Sequence, residues 1–239
     1  MASREKTLWV VQYENVFEFV AKAVATKATS VAIRTDNDLL KAIPLFHKSK
    51  IKVYGWRWPS AMRDAAMKEA DKVVKLFANG LDGYYVDPEG APGKPWDWDQ
   101  KGLEALSDDF CRAIVTTAAG RPFGMTSHYR AKKVFVNLPW ETFFKYSTVL
   151  LPQAYWRSDG GVIGHGIPED NYRVSLDFWS KAGGDQSLIA PMAGELALST
   201  PNEIDSYVKV ASELDMRDLH FYAFSDDVKA VVWNAVARA

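Results

Sequence analysis

The sequence predicts a (β/α)8 TIM barrel of the α/β class, formed as one domain by residues 1–239. Short apolar, β-branched or aromatic segments alternate with longer segments of helical period, and eight such pairs can be counted. The 239 residues match the length of about 250 that is typical of this barrel. An open doubly wound sheet is the rival, but residues 12–15 (Gln-Tyr-Glu-Asn) are not the glycine-rich turn that usually follows its first strand.

The individual elements follow from hydrophobic period and from start and stop signals. Strands are predicted over residues 8–13, 30–34, 51–56, 83–87, 122–127, 149–155, 187–192 and 219–224. Helices are predicted over residues 16–26, 38–46, 60–79, 99–118, 139–146, 168–182, 201–214 and 226–237. Thr200, Pro201 and Glu203 form the signature of a capping box at a helix start. Asn79 and Gly80 stand where a left-handed cap would end the third helix.

Composition excludes several classes of protein. The 29 basic and 30 acidic residues nearly cancel, so the basic face needed to bind nucleic acid or a membrane surface is not expected. The single cysteine, Cys111, excludes an intrachain disulfide and a cysteine-rich metal site. No run of 18 apolar residues and no secretory signal is found. We therefore expect a soluble protein made in the cytoplasm, released by a phage or another non-classical route, that needs no cofactor.

Two carboxylates follow the fourth predicted strand. Chemistry in a TIM barrel gathers where the strands end, and residues two apart on a strand share a face. Tyr85, Asp87 and Glu89 should therefore point together toward the barrel axis. Two acids in an enclosed mouth cannot both ionise cheaply, so one keeps its proton and can act as a general acid. This pairing is what glycoside hydrolysis needs; the alternative is a turn cap at Asp87 and a solvated loop residue at Glu89.

The sixth predicted strand ends in a second group of polar and aromatic residues. Gln153 and Tyr155 share a face and should point toward the carboxylates, where the tyrosine hydroxyl can hold an acetamido oxygen of a substrate. A buried glutamine requires partners for its amide. The alternative for Tyr155 is a core residue with a satisfied hydroxyl.

Aromatic and charged residues at the other strand ends are the remaining candidates. Indoles near strand ends offer faces on which sugars can stack, and we expect two or three of six to bind substrate while the others pack against helices. The six indoles are Trp56, Trp58, Trp96, Trp98, Trp140 and Trp156. The substrate-binding set is predicted to be Gln153, Trp156, Trp56, Trp58, Arg34, His128, Tyr85, Glu195 and Tyr222. No metal ligand is predicted, because His128 has no second histidine at ligand spacing.

Residues 84–89 (Tyr-Tyr-Val-Asp-Pro-Glu) resemble the Asp-x-Glu strand of glycoside hydrolase families 25 (lysozyme-like) and 18 (chitinase-like). Residues 137–141 and 151–156 are similar to uncharacterised bacterial and phage barrel hydrolases grouped with them, so the resemblance covers about residues 80–160. It implies that Glu89 is the acid, that Asp87 orients an N-acetyl group or stabilises an oxazolinium-like intermediate, and that Tyr155 binds the acetamido group. Glu195 after strand seven also resembles the nucleophile of other barrel glycosidases.

Three hypotheses follow. The leading one is a glycoside hydrolase, such as an endolysin, that cleaves an N-acetylhexosamine-containing glycan such as peptidoglycan, with Glu89 as general acid and Asp87 assisting. The second is a non-catalytic carbohydrate-binding barrel of a phage or cell-wall-associated protein. The third is a metal-dependent lyase or deacetylase with an ion at Asp87 or His128. A polysaccharide or oligosaccharide is the expected partner, and the oligomeric state is left open.

Overall fold

Eight parallel strands form a nearly closed barrel surrounded by eight helices, which confirms the predicted fold class. The computed structural model describes residues 5–158, 161–162, 166–216 and 218–239. The strands are β1 (Glu5–Val10), β2 (Ser30–Arg34), β3 (Lys52–Arg57), β4 (Gly83–Val86), β5 (Phe123–His128), β6 (Val149–Gln153), β7 (Met192–Ala193) and β8 (Asp218–Phe224). The helices are α1 (Val16–Ala25), α2 (Leu39–Lys48), α3 (Arg63–Ala78), α4 (Glu104–Val115), α5 (Trp140–Tyr146), α6 (Pro168–Lys181), α7 (Pro201–Glu213) and α8 (Ala230–Arg238). Within those ranges, no helix combines the length and the apolar character that crossing a bilayer requires.

The barrel is least completely closed between β6 and β7, which are the two ends of the sheet. The strand order is β6-β5-β4-β3-β2-β1-β8-β7, with parallel pairing throughout. The two ends meet through a single bridge between Leu150 and Ile189, where the Ala190 amide donates to the Leu150 carbonyl at 2.8 Å. All eight strands therefore direct their carboxyl ends toward one face.

The seventh strand is much shorter than the prediction of residues 187–192. A 3-10 turn, Gln186–Leu188, occupies the first part of that segment, and β7 contains only two residues. The Asp185 side chain accepts a hydrogen bond from the Ser187 amide at 2.9 Å and caps this turn. Such local side-chain bonds compete with strand formation, which explains the difference. A short hairpin, with arms Arg157–Ser158 and Gly161–Val162, was not predicted.

The first strand begins three residues earlier than predicted, despite its charged start. Lys6 lies within β1 and is buried, and its Nζ donates to the Thr26 carbonyl at 3.0 Å and to the Val236 carbonyl at 2.8 Å. Two carbonyl acceptors compensate for burying the ammonium group. The predicted helix ends are confirmed: Thr200 forms its capping box with Glu203, and Gly80 has a φ of +95° just beyond α3.

The barrel interior is packed with aromatic rings. The interior core includes Trp9, Trp56 and Tyr85, all less than 5% exposed. The Trp9 ring stacks on Tyr85 with centroids 5.2 Å apart, and its Nε1 donates to Nδ1 of His220 at 3.2 Å. This layer fills the barrel axis, so any open site must lie at the ends of the strands.

Glycine at position 83 is required by this packing, and Gly83→Ala should destabilise the fold by about 1–3 kcal/mol. A Cβ at Gly83 would lie 2.6 Å from the Tyr54 ring and 2.7 Å from the Pro122 carbonyl oxygen. The carbonyl belongs to the backbone and cannot move aside without disturbing β5. Urea denaturation of the variant should show a lower midpoint with an unchanged slope. An unchanged midpoint would show that the strand accommodates the methyl group.

Candidate active site

The two predicted acids directly follow β4 at the carboxyl end of the barrel. The backbone fixes both of them: the Asp87 amide donates to the Arg57 carbonyl at 2.8 Å, and the Glu89 carbonyl accepts from the Trp98 amide at 2.8 Å. Asp87 is 4% exposed. Glu89 is partly exposed and lines a cavity of about 460 Å³. The pair thus has one covered member and one member that solvent can reach.

Gln153 at the end of β6 joins the two acids. Its Nε2 donates to Oδ1 of Asp87 at 2.9 Å and to Oε1 of Glu89 at 3.2 Å. The Trp58 side chain also lies near Asp87 and acts to lower the pKa of that carboxyl group. A glutamine amide carries two N–H donors, so one nitrogen can serve both carboxyl groups. The partly buried glutamine therefore has the partners that its position requires.

Burial and mutual repulsion shift the acid pair toward its protonated forms. Burial, followed by the charge of Glu89, raises the pKa of Asp87 well above its usual range. Burial also raises the pKa of Glu89, and the hydrogen bond from Gln153 opposes that shift. Because the two acids repel each other when both are ionised, their protons leave in two successive steps that belong to the pair. The pair therefore retains a proton to higher pH than free carboxyl groups would.

Removing the shared amide should move the ionisation of the pair in a defined direction. Gln153→Leu has a similar volume and removes the donor that favours the anions of Asp87 and Glu89. The pKa of each acid should rise further, so a reaction that needs the protonated pair should persist to higher pH. We expect the alkaline limb of a kcat/KM–pH profile to shift upward by about one unit. A downward shift, or none, would contradict the role given to Gln153.

Two tyrosines stand beside the acid pair. The rings of Tyr155 and Tyr222 stack with centroids 5.1 Å apart and planes 19° apart. Burial comes first among the causes that raise the pKa of both hydroxyls, and the charges of Asp87, Glu89 and Glu195 add to the effect. All three acids therefore lie close enough to act on this tyrosine pair, and both hydroxyls stay protonated as hydrogen-bond donors.

The position of Tyr155 depends on a glycine. A Cβ at Gly194 would lie 2.7 Å from the Tyr155 ring. The next residue, Glu195, is partly buried and precedes a 3-10 turn, where its carbonyl accepts from Ser199 Oγ at 2.8 Å. The structure thus brings Glu195 to the same end of the barrel as Tyr155.

The cavity wall combines charged and aromatic side chains. It is lined by Arg34, Asp36, Arg57, Trp58, Glu89 and Trp96. Asp36 accepts from Arg34 Nε at 2.7 Å and from Arg57 Nη1 at 2.8 Å. The Arg34 guanidinium lies over the Trp58 ring, with Cζ 5.4 Å from the centroid. Of the six candidate indoles, Trp58 and Trp96 line the cavity.

Other predicted site residues lie in the packed interior. Trp56 is fully buried and its Nε1 donates to the Val10 carbonyl at 2.9 Å. Trp156 is fully buried against Tyr207, and Tyr85 belongs to the interior aromatic layer. Protein covers the faces of these rings, so they support the site from beneath and do not line the cavity. Trp98 and Trp140 are likewise core residues.

His128 ends β5 and is held within its own loop. Its Nδ1 accepts from the Arg130 amide at 3.1 Å, and its ring stacks on Tyr129 with centroids 4.8 Å apart. Burial, followed by the charge of Arg130, lowers the pKa of His128 to about 4, so the ring is neutral at neutral pH. In the part of the chain that the structure describes, no three His, Cys, Asp or Glu side chains converge as a metal site would require.

Two cavity residues, Asp36 and Arg57, were not among the predicted site residues, whereas Trp96 was one of the six candidate indoles. Asp36 follows β2, Arg57 ends the adjacent β3, and Trp96 lies in the loop after β4. A signal did exist for the first two: opposite charges at neighbouring strand ends meet at one face of a parallel barrel. The sequence could not tell which of the six indoles would line the cavity, because loop length does not fix where a loop residue lies.

Comparison with known proteins gives relatives by structure only. Neither a protein-family model nor a curated protein matches the sequence. The structure is similar to a class V chitinase from Pseudomonas fluorescens Pf-5, with a TM-score of 0.68 and 10% identity over 98% of both chains. It is also similar to the PgaB (BpsB) glycoside hydrolase domain from Bordetella bronchiseptica (0.66, 11%, 98% of both chains). A Group IV chitinase from Ostrinia furnacalis scores 0.65 at 9% identity over 99% of both chains. These similarities show a shared TIM-barrel fold.

Proposed function

We propose that this protein is a glycoside hydrolase that cleaves an N-acetylhexosamine-containing glycan, such as peptidoglycan or chitin, with Glu89 as general acid and Asp87 assisting. The observation that carries the proposal is the joining of the two acids by one amide nitrogen of Gln153. Only Glu89 of the pair lines the cavity, so only Glu89 can reach the glycosidic oxygen of a bound glycan.

Exposure to the cavity favours a division of roles within the pair. Trp58 and Gln153 both favour the anion of Asp87, and Gln153 also favours that of Glu89. Burial outweighs these donors and raises the pKa of Asp87 further than that of Glu89, so the pair holds one proton between its two carboxyl groups, and only Glu89 can deliver that proton into the cavity. This is the ionisation state in which one carboxyl group protonates a leaving group while the other stabilises positive charge.

The proposed reaction uses the acetamido group of the substrate. Glu89 donates its proton to the glycosidic oxygen as the bond to the anomeric carbon breaks. The acetamido oxygen attacks that carbon, and Asp87 stabilises the resulting oxazolinium-like ion. The Glu89 carboxylate then takes a proton from water as the water opens the ion, which restores the acid.

Aromatic residues would place the sugar. Tyr155 stands beside both acids with its hydroxyl protonated, and we assign it to the acetamido oxygen. Trp58 and the 45% exposed Trp96 offer indole surface along the cavity. Two of the similar structures are named chitinases, which supports an N-acetylhexosamine polymer as the class of substrate.

The decisive test is incubation of the purified protein with chitohexaose and, separately, with purified peptidoglycan. Mass spectrometry of the products should show new reducing ends from at least one substrate. Saturable binding of these glycans without any cleavage would favour the carbohydrate-binding alternative. Cleavage that appears only after a divalent metal is added would favour the metal-dependent alternative.

A further inference from the structure

Two arginines in the cavity share a single acidic partner. Arg34 ends β2 and Arg57 ends the adjacent β3, and each donates to a different oxygen of Asp36. Each guanidinium has five N–H donors. Among the described residues, Asp36 takes one hydrogen bond from Arg34 through Nε, and the two Nη groups of Arg34 make none. Two guanidinium charges therefore face one carboxylate charge in this part of the wall, and one positive charge is left unbalanced by Asp36.

The Arg34 guanidinium is held rigidly and largely covered. Its side chain is 17% exposed, against 42% for Asp36, and it lies over the Trp58 ring. The salt bridge to Asp36 and the contact with the Trp58 ring fix the plane of the guanidinium. Its remaining N–H groups therefore already have a fixed orientation before a ligand binds. A neutral N-acetylhexosamine would not require a fixed cation at this point.

We infer that this part of the cavity, formed by Arg34, Arg57 and Trp58, is a subsite for a sugar unit that carries a carboxylate. The Nη groups of Arg34 would donate to the two carboxylate oxygens while the sugar ring lies against Trp58. Arginine suits this task because its planar fork matches a carboxylate in two parallel hydrogen bonds. The inference rests on the proposed function and adds that the glycan contains sugar units with a carboxylate.

A sugar carboxylate can belong to a hexuronic acid or to a lactyl substituent, and the test has a separate arm for each. The Glu89→Gln substitution prevents cleavage, so calorimetry on this variant would measure binding alone. One arm would use a hyaluronan tetrasaccharide, whose carboxylates belong to hexuronic acid units. A second arm would use the disaccharide of N-acetylglucosamine and N-acetylmuramic acid, whose carboxylate is a lactyl group. Chitotetraose and chitobiose are the neutral counterparts of matching length.

We expect at least one acidic sugar to bind about tenfold more tightly than its neutral counterpart, as one charge-assisted contact would provide. Adding Arg34→Gln should remove this preference, because it should weaken binding of the acidic sugar about tenfold more than binding of its neutral counterpart. Arg57→Gln provides a second variant should the first fail to fold. Arg173→Gln is the matched control, because Arg173 is an exposed arginine on α6 paired with Glu213. The preference should also shrink as salt is raised.

Three results would overturn the subsite. The first is equal binding of acidic and neutral sugars, and the second is binding of neither acidic sugar. In the third case, Arg34→Gln would weaken the binding of acidic and neutral sugars by the same factor. The outcome is separable from that of the proposed function. Cleavage of chitohexaose without any preference for acidic sugars would leave the hydrolase proposal intact. Binding of an acidic sugar that depends on Arg34, without cleavage of any glycan by the wild-type protein, would leave only the subsite.

Discussion

The Glu89→Gln variant should lose at least about 10³-fold in kcat on the glycan that the wild-type protein cleaves, the range that general acid catalysis supplies. Glutamine has the shape of glutamic acid and can still accept the hydrogen bond from Gln153 Nε2. It has no acidic proton to give to the leaving oxygen. KM should change little, because the contacts to the bound sugar remain.

Initial rates on chitohexaose or peptidoglycan, measured by reducing-end release, would check this prediction. Glu141→Gln is the matched control, since the Glu141 side chain is 86% exposed on α5. It should retain wild-type activity. A Glu89→Gln protein as active as the wild type would remove Glu89 from the reaction.

The same substitution should stabilise the fold at neutral pH. Because the pKa of Glu89 is raised in the folded state, the unfolded chain releases this proton at lower pH than the native protein does. The stability contributed by Glu89 is therefore greatest below the unfolded pKa of about 4.3 and is lost as pH rises through the folded pKa. Removing the acid should raise the free energy of unfolding at pH 7 by about 1 kcal/mol. A urea midpoint lower than that of the wild type would contradict the raised pKa.

The Asp87→Asn variant should lose about 10²–10³-fold in kcat, comparable to the loss of a single stabilising group in other active sites. Asparagine preserves the shape and an oxygen acceptor for Gln153, but it carries no negative charge to stabilise the oxazolinium-like ion. The covered position of Asp87 limits the structural disturbance, because Asn replaces Asp with nearly equal volume.

The pH profile distinguishes this role from a merely structural one. Without the carboxyl group at position 87, full ionisation no longer places two negative charges side by side, so the last proton should leave the site at lower pH. The alkaline limb of kcat/KM should move to lower pH, opposite to the shift expected for Gln153→Leu. Steady-state rates from pH 4 to 9 would measure both. A profile with the wild-type limb and a reduced plateau would indicate that the two carboxyl groups are not coupled.

Hydrophobic period carried most of the fold prediction. Six of the eight predicted strands overlap the observed strands in most of their residues, the first overlaps in half of them, and the caps at Thr200 and Gly80 occur as predicted. The seventh strand differed because Asp185 caps a 3-10 turn within an apolar segment. The charged start of β1 was missed because its compensation comes from the Val236 carbonyl, 230 positions away in the chain.

The sequence by itself determined the eightfold alternation, the face on which the strands end and the presence of two acids two residues apart on one of them. These properties are local, because they follow from strand period, turn chemistry and residue order. Only the tertiary structure decided that Gln153 contacts both acids, that Trp58 and Trp96 line the cavity while Trp56 and Trp156 are buried, and that two arginines share Asp36. Burial and pKa depend on which elements pack around a side chain, and long-range contacts of that kind leave no period in the sequence.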